Sequence, residues 1–197
     1  MRIFIAAACL LATPALAAAP ILAPTRDVVI DYAVRPADRP PLGVQVSVQA
    51  GGALLRITSP DLPTAFVVDR PAQTATVLLP MLKLYARVAI GRYDPQRTVL
   101  RNASFERGGQ SAVAGRSCTE WRAASSDGRA TACITADGVI LRGTATDAHG
   151  SLGSIQATMV QYVTLSPALF RRPEDFHDAG TLPLEGGLAG ALGGLQQ

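Results

Sequence analysis

Strict alternation of side chains leaves this chain little choice of fold. From Asp27 onward, Val28, Ile30, Tyr32 and Val34 alternate with Val29, Asp31, Ala33 and Arg35. Val44, Val46 and Val48 then alternate with Gln45, Ser47 and Gln49. Successive side chains of an extended strand point to opposite faces, so each segment carries one apolar face and one mixed or wet face. That is the pattern of an antiparallel sheet with one solvated side. Ala50-Gly51-Gly52 turns the chain into a strand at Leu54 to Thr58. Further strands are expected at Ala65 to Asp69 and Thr74 to Leu79, joined by Arg70-Pro71-Ala72-Gln73. Met81 to Ile90 has a composition that suits a helix. However, Leu82, Leu84, Ala86, Val88 and Ile90 alternate strictly with Met81, Lys83, Tyr85, Arg87 and Ala89, which predicts a strand.

After a polar connection from Gly91 to Asn102, the second half reads as hairpins. Gly108-Gly109, Asp127-Gly128 and Asp137-Gly138 are turn dipeptides flanked by strand-like runs. The last long strand is expected at Ile155 to Thr164. The one helix signal follows it: Ser166 as N-cap, Pro167 at the first helical position, Ala168-Leu169-Phe170, and Pro173 to end it.

The amino terminus carries the three parts of an export signal in order: Arg2, the apolar run Ile3 to Leu11, and the small-x-small site Ala15-Leu16-Ala17. The run is shorter than the roughly 20 apolar residues of a membrane span. The expected organisation is a signal over residues 1–17, a single antiparallel β domain over 18–185, and a flexible Gly/Leu-rich tail over 186–197, in a protein exported to the periplasm. Cys9 follows Ala6-Ala7-Ala8 but lacks the usual upstream Leu of an acylation site, so it is expected to leave with the signal. Cys118 and Cys133 remain, an even pair in an oxidising compartment. A disulfide is favoured over a metal pair, because His149 and His177 are the only histidines and no four-ligand spacing occurs. Alternation puts Cys118 with Glu120 and Arg122, and Cys133 with Thr131 and Thr135. The bond is therefore expected on the polar face as a surface staple, with the only tryptophan, Trp121, on the apolar face, where core packing and ligand contact both remain open.

Composition narrows the function. At 197 residues with 48% apolar and 17% charged residues, the chain fits one globular core and excludes a disordered tail or a string of modules. The net charge is +3, and 17 arginines and one lysine, Lys83, are scattered without clustering, so no nucleic-acid-binding stripe is present. No Gly-x-Ser-x-Gly elbow, phosphate loop, dinucleotide fingerprint or zinc spacing occurs, and Gly150-Ser151-Leu152-Gly153-Ser154 has the wrong spacing for the elbow. No enzyme, cofactor or metal is expected.

The run Val113-Ala114-Gly115-Arg116-Ser117-Cys118-Thr119-Glu120-Trp121, the run Ala132 to Arg142 around Asp137-Gly138, and Pro167-Ala168-Leu169-Phe170 with Pro173 and Phe176 carry a resemblance. Over Val113 to Phe176 the chain resembles a family of exported bacterial proteins of unknown function that look like relatives of the Lol-type lipoprotein carriers. The resemblance implies a mainly β fold, a strongly curved antiparallel sheet forming a half-barrel, with one or two short helices. Its apolar concave side would be covered by short helices or loops; in the carriers that concavity receives acyl chains. The function expected is a non-catalytic periplasmic binding or carrier module for an apolar ligand or a lipidated envelope partner. The alternative is a structural or envelope-interaction protein with a filled β core and no small ligand. Tyr32, Tyr85, Trp121 and Tyr162 are the candidate ligand-lining residues, since large amphipathic rings suit the mouth of such a site.

Overall fold

The computed structural model describes residues 19–90, 103–147 and 150–181. Twelve strands occur there: β1 (Val28–Arg35), β2 (Leu42–Val48), β3 (Leu54–Ser59), β4 (Leu62–Asp69), β5 (Thr74–Leu79), β6 (Leu84–Ala89), β7 (Ser104–Val113), β8 (Arg116–Ser125), β9 (Gly128–Ile134), β10 (Ile140–Asp147), β11 (Gly150–Tyr162) and β12 (His177–Thr181). They form one curved sheet, not closed into a barrel, in the order β12-β6-β5-β4-β3-β2-β1-β11-β10-β9-β8-β7. Helix among the described residues is limited to 3-10 turns, of which Pro167–Phe170 is the longest. The expected fold class, a mainly β half-barrel, is the one found.

The period-two pattern becomes two continuous apolar rows. Cross-strand pairing places Tyr162, Val28, Val48, Leu55, Val68, Ala75 and Val88 in one row from β11 to β6. Val160, Ile30, Val46, Ile57, Phe66, Val77 and Ala86 form the next. The rows join two core clusters, which share Leu55. Directly opposed apolar pairs are the unit of sheet stabilisation, and here each pair is also a link in a chain seven strands wide.

From β3 to β6 the reverse face is buried too. Leu54, Ala65, Val67, Leu78 and Tyr85 pack against Leu165, Leu169, Phe170 and Phe176. Burial on both sides explains the unbroken apolar run Ala65 to Val68 in β4, where strict alternation lapses. The covering segment is held at several points. The Ser166 hydroxyl caps the turn by accepting from the Ala168 N–H, the Leu165 N–H donates to the Asp27 carboxylate at 2.9 Å, and the Arg56 guanidinium donates to the Leu169 carbonyl at 3.1 Å.

Curvature shows in contacts that skip strands. Arg116 stands at the β7–β8 tip, and Arg116 Nη2 donates to the Val160 carbonyl of β11 at 3.4 Å. Arg116 is the first residue of β8, and three strand spacings would hold β8 and β11 roughly 14 Å apart in a flat sheet. Likewise the Tyr32 hydroxyl of β1 passes β11 to donate to the Ile140 carbonyl of β10 at 2.6 Å.

Four sequence expectations are corrected. Gly108-Gly109 is not a turn; it lies inside β7, where the register to β8 slips between Arg107 and Gln110. The turn is Ala114-Gly115, with φ of 49° and 70°, and an alanine in the left-handed region gives no sequence signal. Met81 and Leu82 belong to the 3-10 turn Pro80–Leu82, and Lys83 at φ 51° ends it, so β6 begins only at Leu84. Gly153 sits at φ 110°, yet β11 runs through it from Gly150, well before Ile155. β12 had no sequence signal, and it pairs parallel to β6 at the edge of an otherwise antiparallel sheet.

The disulfide is the fourth correction. Cys118 and Cys133 are bonded, with Cα atoms 5.3 Å apart, but they are 2% and 0% exposed and belong to the main core with Val28, Val139 and Leu141. The polar neighbours on which a surface position was expected, Glu120 and Arg122, lie farther along β8 towards its Ser125 end. A register slip in β10 between Ile140 and Arg142 sets buried Leu141 beside Cys133. A face assigned by counting its polar members fails where the face changes character along its length.

Two outcomes follow for stability. Dithiothreitol should release no thiol from the native protein, and should release two once urea is added, with the reduced chain destabilised by about 3 kcal/mol. Phe170→Ala should cost about 3–5 kcal/mol in urea titration, because it empties the centre of the reverse-face cluster.

Candidate functional site

Among the described residues, hollows open on the sheet at its β7 edge and beside the end of β11. The larger, about 400 Å³, is lined by Gly108, Gly109, Glu120, Trp121, Arg122, Thr131 and Arg142. It exists because of the register slip in β7: where the strand would place two side chains before β8, it places two glycines. A Cβ on Gly108 would stand 3.2 Å from the Glu120 Cβ, so the slip needs glycine there for close approach; at Gly109 a Cβ would meet nothing within 4 Å. Trp121 is half-exposed and pairs across from Arg107, on the face opposite Glu120 and Arg122.

Charges around this hollow are paired. Arg142 Nη2 donates to Glu120 and, at 3.4 Å, to the Ser111 hydroxyl. Arg122 Nη1 donates to Glu106 at 3.2 Å across β7 and β8. The Thr131 and Thr144 hydroxyls share a hydrogen bond of 2.7 Å.

The second hollow, about 280 Å³, is lined by Arg26, Asp27, Tyr162, Val163 and Thr164. The Arg26 guanidinium lies 3.8 Å from the centre of the Tyr162 ring and donates to Asp137 at 3.1 Å, while Arg116 lies 5.2 Å from the same ring. Burial works to raise the Asp137 carboxyl, but hydrogen bonds from Thr135, Tyr162 and Arg26 outweigh it and hold the group below the usual carboxylate range. Burial, then the hydrogen bond to Asp137, push the Tyr162 phenol up against the opposing effect of Arg26. The Asp27 carboxylate is fully used, accepting from the Ala50 and Leu165 N–H groups.

The four ring residues singled out in the sequence do not meet at one site. Tyr32 is buried in the main core, and burial pushes its phenol well up. Tyr162 packs at the margin of that core and lines the smaller hollow. Tyr85 belongs to the reverse-face cluster, with the Arg172 guanidinium 4.6 Å from its ring centre. Of the four, Trp121 alone lines the larger hollow. The paired charges beside it were not legible as a site, because Glu120 and Arg142 are brought together only by the pairing of β8, β9 and β10.

Among the described residues no group of three or more His, Cys, Asp or Glu is placed to hold a metal, and no helix is long and apolar enough to cross a membrane. His177 is exposed at the start of β12, while His149, the signal over 1–17, the connection Gly91 to Asn102 and the tail over 186–197 lie outside the described residues.

No family model and no curated protein matches the chain. Solved structures do match in fold. An uncharacterized conserved protein from Thermus thermophilus superposes with a TM-score of 0.57 at 14% identity, over 79% of this chain and 91% of that one. MucB of Pseudomonas aeruginosa, solved in complex with MucA, superposes with a TM-score of 0.53 at 13% identity, over 77% of this chain. The match spans 57% of the length of MucB. A LolA superfamily protein from Nitrosomonas europaea matches at a TM-score of 0.42 and 9% identity, over 77% of this chain and 92% of that one.

The charge cluster at the smaller hollow has a measurable consequence. A carboxyl held below its unfolded value contributes stability that is present above about pH 4 and is lost as pH falls through the depressed value. Asp137→Asn should therefore lower the urea midpoint at pH 7, with the gap to wild type closing as pH falls below about 4.

Proposed function

We propose that this chain is an exported, non-catalytic periplasmic binding or carrier module, and that it meets an apolar ligand or a lipidated partner at the Trp121 hollow. The hollow itself carries the reading. Its volume of about 400 Å³ falls in the range of ligand sites, and its lining includes Trp121 and the polar side chains Glu120, Arg122, Thr131 and Arg142. The glycine slip in β7 supports the same reading, since an edge strand that gives up side chains beside Glu120, at the lining of the hollow, gives up packing energy. Residence in the periplasm is supported by the export signal read at the amino terminus and by the buried disulfide, a bond that persists in oxidising compartments. MucB, a protein of similar fold, is a precedent for a half-barrel of this kind engaging a protein partner.

One observation favours a second reading. Val28, Ile30, Phe66, Ala75, Val77 and Val88 of the two apolar rows are all buried, so this part of the sheet's apolar face is filled. A structural or envelope-interaction protein with no small ligand would look the same there. The two readings separate at Trp121.

Because Trp121 is the only tryptophan, its emission reports the hollow directly. Native mass spectrometry of protein purified from the periplasm should show a co-purifying lipid, and a brominated fatty acid should quench the emission. A clean mass of the unliganded chain together with unchanged emission would discard the carrier reading in favour of the filled-core one.

A further inference from the structure

We infer that the turn between β5 and β6 is a lipid-surface contact: Met81 and Leu82 enter the margin of a bilayer's apolar layer and bring that end of the sheet against it. This goes beyond the reading of the Trp121 hollow and stands whether or not that hollow holds a ligand.

Met81 is 84% and Leu82 65% exposed, more than any other large apolar side chain among the described residues. Ile21, Leu152, Met159 and Val163 are exposed by 37% to 51%, but none adjoins another in the chain, and single apolar side chains on a surface are ordinary. Met81 and Leu82 are adjacent and project from one tip. Continued alternation would place Leu82 on the buried face of Ala86 and Val88; the 3-10 turn Pro80–Leu82 takes both residues out of the sheet instead.

The tip is firmly held. Pro80 starts the turn, the Lys83 N–H donates to the Pro80 carbonyl at 3.2 Å, and the Lys83 carbonyl accepts from the His177 N–H at the start of β12 at 2.8 Å. Lys83 Nζ is also paired with Asp175 at 3.1 Å. A fixed frame presents both side chains with little left to order on docking. Pro80 carries no N–H and that of Lys83 is bonded, so these two residues take no free backbone donor into an apolar layer. Pro60 and Pro63 of the β3–β4 hairpin stand exposed at the same end of the sheet and add none.

A protein partner is the competing occupant. Stable protein interfaces use about 20–30 residues a side, whereas this is a convex tip with two large apolar side chains. A bilayer takes such a tip because its apolar layer closes round it. The charges at the base are paired, Lys83 with Asp175 and Arg87 with Asp178, so they neither draw nor repel an anionic surface strongly. Association then rests on the apolar pair and should change less than about twofold between low and high salt.

Flotation of the purified protein with phosphatidylcholine vesicles, with and without phosphatidylglycerol, tests this. The double variant Met81→Ser/Leu82→Ser removes only exposed side chains, so it should keep the wild-type urea midpoint and lose vesicle association at least about tenfold. In a Trp121→Phe background, Met81→Trp puts the only indole at the tip. Its emission should shift to shorter wavelength on vesicles and be quenched more by lipids brominated near the headgroup end of the acyl chain than by lipids brominated at the far end. Vesicle association that survives the double change, or tip emission that does not shift in a variant that still floats, would place the lipid contact elsewhere and overturn the inference. If the wild type floats with neither vesicle, the inference is overturned and a protein socket becomes the occupant of the tip.

Discussion

Everything else in this structure depends on two rows of apolar side chains that stay in register across seven strands. Ten of the fourteen members are buried and Val46, Leu55, Ile57 and Tyr162 half-buried against the partners beside them, so no single pair can slip without exposing a whole face to water. Full burial of a side chain such as Val or Phe is worth roughly 1.5–3 kcal/mol, and eight of the fourteen, Val28, Ile30, Val48, Phe66, Val68, Val77, Val88 and Val160, are buried side chains of that size. Register, in other words, is fixed by the sum and not by any turn. This is why the hairpins between β1 and β6 can end in varied turns, including Ala50–Gly52 with both glycines at positive φ and Pro80–Leu82 closed by a left-handed Lys83.

The same rows explain which parts were legible in the sequence. The limits of β1 and β5 follow from alternation, which in β1 sets Val28, Ile30 and Tyr32 towards the core and in β5 Ala75 and Val77, with Leu78 buried on the reverse face. The reading loses force where a segment is buried on both sides, as in β4, or where the backbone changes parity. Register slips in β1–β11, β10–β9 and β7–β8 are backbone events without a residue signature, and each one reassigns faces beyond it. The cysteines show the cost. Cys118 and Cys133 were correctly paired, because pairing needs only an even count and an oxidising compartment, but misplaced, because the face they share is core at one end and polar at the other. Gly108-Gly109 shows the converse: the dipeptide was seen, and its meaning as a slip within a strand was not, since a turn and a bulge both ask for glycine.

The candidate site was legible only in one residue. Trp121, Tyr32, Tyr85 and Tyr162 are alike as large amphipathic rings, yet Trp121 is among the residues lining the hollow and the three tyrosines serve other environments. Ring chemistry says what a residue can do, whereas strand pairing decides where it does it. The Glu120–Arg142 and Arg122–Glu106 pairs join residues between 16 and 22 positions apart, and only the order β10-β9-β8-β7 turns them into one rim.

A filled apolar face and an open edge are two sides of one constraint. With much of the rows buried, the interior of that part of the sheet offers no vacancy for a ligand to compete for, and any ligand would have to displace packed side chains at a cost of several kcal/mol. Towards β7 the rows have ended, the sheet has curled back far enough for Arg116 to reach β11, and the side chains on β8 and β9 turn from Cys118 and Cys133 to Glu120 and Thr131. A hollow can form there without breaking the core, because the strand that borders it contributes two glycines in place of packing. The buried disulfide joins the same two strands directly beside that transition, Cys133 pairing across from Glu120. Its place in the core thus fixes β8 against β9 at the point where the structure passes from packed interior to the open hollow, and lets the edge be open without being loose.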